Sequence, residues 1–176
     1  MQQNAISLGF TDVDRAKSRR AHMSMFVATV SQLIDCQPST AFAAFADAGS
    51  ITQFWLSASS GSLSKDARVT WTFMVPGAAD TITVTDFEVG RLIAFKWSDG
   101  SSTRLVFAKQ ATRKTKVSVE VQVVAGDDLI EQVMNTTEGF TIVLCDLKTF
   151  IESGQSAGLV RAKAELIEAS AARGEA

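Results

Sequence analysis

Hydrolytic or acid–base chemistry would have to be assembled here from few parts. The sequence contains one histidine, His22, which falls in a stretch without apolar periodicity. A nucleophilic triad needs a base within hydrogen-bond reach of its nucleophile, and a terminal tail is a poor place to hold one. Metal chemistry has no better footing. Cys36 and Cys145 lie far apart, and the adjacent acids Asp127 and Asp128 fit the start of a helix better than a ligand pair. Asp86 and Glu88 stand at i, i+2 on one strand face, the spacing of an acid/base pair but equally that of a solvated edge near a turn. Glu120 falls on the polar face opposite a row of valines. Thr136 is different, because it interrupts an apolar helical stripe, where a hydroxyl must bond the carbonyl one turn back or find a ligand. The remaining resource is aromatic: three tryptophans and eleven phenylalanines with no tyrosine, hence large ring faces without a phenol. Such rings either fill a core or line an apolar pocket.

Composition excludes several classes of function. Net charge is −2 with no long run of one sign, so the basic footprint of nucleic-acid binding is missing. No apolar stretch is long enough to span a bilayer, and the N-terminus lacks the apolar run of a secretory signal. With two cysteines and no disulfide framework, a cytoplasmic location is expected. The 176 residues, 46% hydrophobic and 20% charged, suit one sizeable core.

The elements that must position these residues are legible in the periodicity. Residues 1–24 read as an N-terminal tail or appended segment, with Met23 or Met25 as an alternative start. From Met25 a β-branched run alternates up to Pro38 and predicts a first strand. Pro38 opens a short helix with Phe42 and Phe45 at helical spacing and Gly49 as its stop. Ser50 is the expected cap of a second short helix through SITQFWLSAS. After the loop GSLSKD, five strand-like runs follow between Arg68 and Val124. They include RVTWTFMV, with Val69, Trp71, Phe73 and Val75 on one face, and KVSVEVQVV, with Val117, Val119, Val121 and Val123 on one face. On RLIAFKW either Ile93, Phe95 and Trp97 or Leu92 and Ala94 could face inward. Pro76-Gly77 predicts a turn, and Asp99-Gly100 a two-residue hairpin with positive φ at both positions.

The period then switches. Leu129, Val133, Thr136, Phe140, Val143, Leu144, Leu147 and Ile151 recur at threes and fours, and Gly154 supplies a stop. A helix of about 26 residues would span roughly 39 Å, enough to cross a sheet. On this phase Cys145 and Lys148 point away from the core. Residues 155–176 carry a weaker stripe (Leu159, Val160, Lys163, Leu166, Ile167) and predict a short C-terminal helix.

A strand, two short helices, an antiparallel meander and a long helix resemble the START-like (SRPBCC) helix-grip superfamily, which includes birch-pollen-allergen-type proteins. Particular residues narrow the likeness: Phe54-Trp55, the run Arg91 to Trp97, and Glu138-Gly139-Phe140 followed by Leu144, Leu147, Lys148 and Glu152. In these the chain, from about Met25 to Val160, is similar to the homologues of the activator of the heat-shock-protein-90 ATPase. It departs from that family in having Phe140 where tryptophan is common, and Glu88-Val89-Gly90 where a proline-rich step is common. The resemblance implies an α+β helix-grip domain over residues 25–154, its curved antiparallel sheet wrapped around the long helix.

Three functions are then open. The first is binding of a small hydrophobic molecule between sheet and helix, with walls expected from Trp71, Phe73, Phe95, Trp97, Thr136, Phe140 and Leu144. The second is a protein-interaction or co-chaperone-like role with a protein partner or homodimer, although the separate N-terminal domain of the eukaryotic activators is missing from this chain. The third is a cyclase- or hydrolase-type enzyme of the same superfamily, against which the scarcity of inward histidines, tyrosines and paired carboxylates argues. No cofactor, metal or catalytic residue is implied.

Overall fold

The computed structural model describes residues 26–123 and 128–174. The expectations for residues 1–24, for His22 and for Asp127 as a cap lie outside the described residues. β1 (Phe26–Ile34) leads into α1 (Pro38–Ala46), α2 (Ala48–Ile51) and β2 (Leu56–Ser59). The meander β3 (Arg68–Phe73), β4 (Ala79–Glu88), β5 (Leu92–Lys96), β6 (Ser102–Ala111) and β7 (Lys114–Val123) follows, then α3 (Leu129–Ser153) and α4 (Leu159–Arg173). The seven strands form one antiparallel sheet in the order β1-β7-β6-β5-β4-β3-β2, so the first strand closes against the last and β2 forms the far edge. This is the α+β helix-grip architecture.

Alternation sets the faces. The β7 valines at 117, 119, 121 and 123 are all buried, with Ser118, Glu120 and Gln122 turned outward. On β5, Ile93 and Phe95 are fully buried in the core and Trp97 packs partly against it, which resolves the two faces left open by sequence. β4 changes phase midway: a bulge between Val84 and Asp86 lets Val84 pair with Phe95 and Phe87 pair with Ile93. The extra residue, Thr85, brings Ile82, Val84 and Phe87 to the same side despite their odd spacing. Phe87 then meets Phe42 of α1 edge-on at 5.1 Å.

Several local expectations need correction. The second helix is only Ala48–Ile51, and LSAS is a strand. Leu56 alone is fully buried there, so the short edge strand carries too little alternation to distinguish itself. Asp47, not Ser50, is the N-cap. Its carboxylate accepts from the Ser50 amide at 2.7 Å and hydroxyl at 2.8 Å, and Gly49 lies inside this turn instead of ending α1. The β5–β6 hairpin has a three-residue loop: Trp97 N–H donates to Ser101 O, Gly100 N–H donates to Trp97 O, and Gly100 has φ of 88° while Asp99 does not enter the positive region. That pattern is a turn followed by one left-handed glycine, which a DG pair also allows. Pro76-Gly77 does form its turn, with Ala78 N–H donating to Val75 O and Gly77 at φ 77°.

α3 is the gripped helix. Val143, Leu144 and Leu147 are buried on it, and Gly154 ends it at φ 82° with its N–H on Phe150 O. Asp128 occupies the N-cap, but its side chain makes no capping bond. Cys145 and Lys148 do not face away. α3 lies along edge strand β1, so its flank covers that strand: Gln32 Nε2 donates to Cys145 Sγ at 3.7 Å, and Lys148 Nζ donates to Leu33 O at 2.9 Å. Glu152 completes the seam by accepting from the Asp35 amide at 2.8 Å. The helix is thus fixed to the sheet by its C-terminal half, whereas Leu129, Val133 and Thr136 are only half-buried.

Candidate functional site: an apolar cavity between sheet and helices

Where the N-terminal half of α3 stands off the sheet, a cavity of about 700 Å³ remains. Its floor is built by β3, β5 and β7. Phe73 and the following Met74 and Val75 come from the end of β3, Trp97 directly follows β5, and Val121 and Val123 come from β7. Thr136, Gly139, Phe140 and Val143 of α3 form the roof, and Val160, Lys163, Ala164 and Ile167 of α4 close one side. Trp55, which follows the α2 turn, completes the wall.

An aromatic chain stiffens the floor. Trp55 meets Trp71 at 5.0 Å and Phe140 at 5.6 Å, while Trp71 meets Phe95 at 5.2 Å and Trp97 at 5.7 Å, all edge-to-face. Edge-to-face packing matches positive ring edges to negative faces and fixes each ring's orientation. Trp97 is further fixed by its indole N–H, which donates to Thr103 Oγ1 at 2.8 Å. The Trp71 indole N–H is buried with no hydrogen-bond acceptor, and the rings crowded around it offer only π electrons.

Of the seven residues expected to line a pocket, Phe73, Trp97, Thr136 and Phe140 stand on the wall. Trp71, Phe95 and Leu144 do not; exposed to 1%, 0% and 1%, they pack behind it as the layer that holds the wall residues. Sequence reasoning missed the contributions of β7 and α4. Both were signalled: the valine row was read as inward, and Val160, Lys163 and Ile167 belong to the weak C-terminal stripe.

Polar groups gather at the rim. Asp80 accepts from the Thr81 amide at 2.6 Å, Asp99 accepts from the Ser101 amide at 2.8 Å and hydroxyl at 2.6 Å, and Lys163 pairs with Glu138 at 2.7 Å. Thr136 is unlike its neighbours. Thr137 and Thr141 donate to carbonyls one turn back, but the Thr136 hydroxyl bonds no described residue.

The candidate acid/base pair lies elsewhere. Asp86 and Glu88 sit on the outer face, where Asp86 is 4.0 Å from Lys65 and Glu88 pairs with Arg91. Glu120 pairs with Arg104 at 3.7 Å on the same polar face. Groups with displaced pKa values are also remote from the cavity. Hydrogen bonding to Lys114 lowers Asp35, hydrogen bonding to Lys148 lowers Glu152, and burial raises the Cys36 thiol. They secure the β1–α3 seam and the loop after β1. Among the described residues no cluster of three or more His, Cys, Asp or Glu is placed to hold a metal, and no helix is long and apolar enough to cross a membrane.

An antiparallel sheet gripping a long helix over an apolar cavity defines a START-like helix-grip fold, and solved structures agree. The chain is similar to the protein SSP2350 from Staphylococcus saprophyticus, with 25% identity and a TM-score of 0.67 over 74% of this chain and 95% of that one. It is similar to DynU16, a putative protein in the dynemicin biosynthetic locus, at 16% identity and TM-score 0.66, covering 74% of this chain and 48% of that one. The Aha1 dimer from Colwellia psychrerythraea matches at 14% identity and TM-score 0.63, over 73% of this chain and 97% of that one. No protein-family model and no curated protein sequence matches the chain.

Proposed function

We propose that this protein binds a small hydrophobic molecule in the cavity between sheet and α3. The observation that carries the proposal is the cavity itself. At about 700 Å³ it falls within the range that encloses drug-sized ligands, and its walls are aromatic and aliphatic with a few polar groups at the rim. Thr136 supplies a hydroxyl for a ligand that carries a hydrogen-bonding group. We assign no catalytic chemistry. Among the described residues the ionisable side chains at the rim, Asp80, Asp99 and Lys163, are each engaged in a hydrogen bond or ion pair, which favours binding over the cyclase or hydrolase alternative. Two unpaired cysteines favour the cytoplasm as the working compartment.

Native mass spectrometry of protein purified from its own host tests this reading, because a tightly held ligand would appear as a mass adduct. A thermal-shift screen of fatty acids, sterols and aromatic polyketides complements it: ligands that bind the folded state raise the melting temperature by mass action. Phe140→Ala should abolish or alter those shifts, and Thr136→Val should weaken only ligands with a hydrogen-bonding group. No adduct and no shift across the screen would overturn the reading.

A second reading, a protein-interaction role like that of the chaperone-activator family, draws on edge strand β1, where Phe26, Val27 and Leu33 are exposed by 46%, 50% and 43%. Exposed apolar side chains of this kind mark surfaces that partner proteins cover. Pull-down with the chaperone and light scattering for a homodimer would test it.

A further inference from the structure

α4 forms one side of the cavity, yet little of its own packing holds it there. Ala164 is its one fully buried residue, and Leu166 and Ile167 are exposed by 55% and 43%. The Lys163–Glu138 pair that links α4 to α3 sits at the exposed rim, where ion pairs contribute little. Its N-cap, Gly158, has no side chain to satisfy the first amides of the helix.

That function is supplied from the neighbouring helix by Asp146 of α3. The side chain is completely buried. One carboxylate oxygen accepts from the Val160 amide at 3.1 Å; the other accepts from Ser156 Oγ at 2.6 Å and lies 3.3 Å from Thr149 Oγ1, whose one proton it shares with the Asp146 backbone carbonyl at 2.9 Å. The two hydroxyls pass the connection on: Ser156 Oγ accepts from the Gly158 amide at 2.8 Å, and Thr149 Oγ1 from the Ala157 amide at 3.1 Å. Every residue from Ser156 to Val160 except Leu159 is therefore wired to one carboxylate or its hydroxyl partners. The connector is bounded by Gly154 and Gly158, both in the left-handed region at φ 82° and 74°, where the chain reverses. A buried carboxylate that pairs with no cation among the described residues is costly unless its oxygens are satisfied, so loss of one donor disfavours the docked arrangement as a whole.

We propose that Asp146 is a positioning residue that latches α4 across the cavity, making α4 the gate through which ligand enters and leaves. This rests on the cavity being a binding site. The latch seats the first turn of the helix, and the cavity-facing residues Val160, Lys163, Ala164 and Ile167 follow from that turn.

The test uses the full chain with Asp146→Asn, which puts an amide where two acceptor oxygens are needed, and the milder Ser156→Ala. Hydrogen exchange of α4 amides and stopped-flow release of the probe 1-anilinonaphthalene-8-sulfonate are measured on each variant. Exchange in α4 and probe release should both accelerate by about tenfold or more, the effect of losing one charge-assisted hydrogen bond, while exchange in β7 stays at the wild-type rate. If Asp146→Asn does not fold, Ser156→Ala decides by the same two readouts. Exchange and release within about twofold of wild type would overturn the latch. Faster α4 exchange with unchanged release would overturn the gate. Failure of the wild-type protein to bind any probe or screened ligand would instead count against the binding function, with the exchange data still judging the latch.

Discussion

If α3 grips the sheet with its C-terminal half and roofs a cavity with its N-terminal half, truncation to alanine should cost less per carbon removed in the N-terminal half of its stripe than in the C-terminal half. Leu144 and Leu147 are exposed by 1% and 0% and are surrounded by core. Truncating either to alanine should cost about 2 to 5 kcal/mol, the sum of lost transfer energy and an unfilled hole. Val133 is half-buried on the same stripe. Val133→Ala removes two carbon groups worth roughly 0.8 kcal/mol each when fully buried, so half-burial leaves about 0.8 kcal/mol in total. In a protein of this size 1 kcal/mol moves the melting temperature by roughly 2 to 4 °C, giving losses of about 4 to 20 °C for the leucines and about 3 °C or less for the valine. Differential scanning calorimetry with urea titration would measure both, the second checking that the m-value stays constant. Equal losses per carbon removed at Val133 and Leu147 would mean that the helix packs uniformly. The cavity reading would then fail.

Three further outcomes follow from the seam and the thiols. Lys148→Ala should cost about 1 kcal/mol in urea titration, since its ammonium donates to Leu33 O and Glu152 from a partly exposed position; a cost near zero would leave the seam without energetic weight. Glu152 has its folded pKa lowered below its ordinary 4.5 by hydrogen bonding to Lys148. Its contribution is therefore present above that ordinary value and is lost as pH falls through the lower folded value, so Glu152→Gln should flatten the acid limb of the stability–pH curve and leave its neutral slope unchanged. Cys36 is buried with its thiol pKa raised by desolvation, whereas Cys145 is partly exposed; a thiol reagent should label Cys145 first and reach Cys36 only at the rate of unfolding.

Periodicity made most of the fold legible, and its failures have local causes. The β7 valines and the α3 leucines show uninterrupted periods of two and three-to-four, and both elements follow. β2 was hidden because Ile51, Phe54 and Trp55 share a helical spacing that continues into LSAS, where the pairing that decides the conformation comes from β3. Periodicity places Cys145 and Lys148 on the solvent side because it reports one apolar stripe. It says nothing of a flank that lies on the polar edge of another strand. The same limit concealed Asp146, a carboxylate whose burial depends on residues ten and fourteen positions onward.

The cavity was harder to infer than the core because both are written with the same residues. Trp71, Phe95 and Leu144 differ from Phe73, Trp97 and Phe140 in position along their elements, not in chemistry. What separates the two sets is where α3 leaves the sheet. Its tethers to β1, through Cys145, Lys148 and Glu152, all lie after Phe140. Before Phe140 the half-buried stripe residues are Leu129, Val133 and Thr136, and the space between helix and floor is spanned by α4 rather than by larger side chains. Closing the gap would require bulk at Gly139 or Thr136. Gly139 has no heavy atom within 4 Å of where a Cβ would stand, so a side chain there would meet open space. The small residues of this turn thus leave the space beneath the roof unfilled, and the volume is a property of the helix surface as much as of the sheet's curvature.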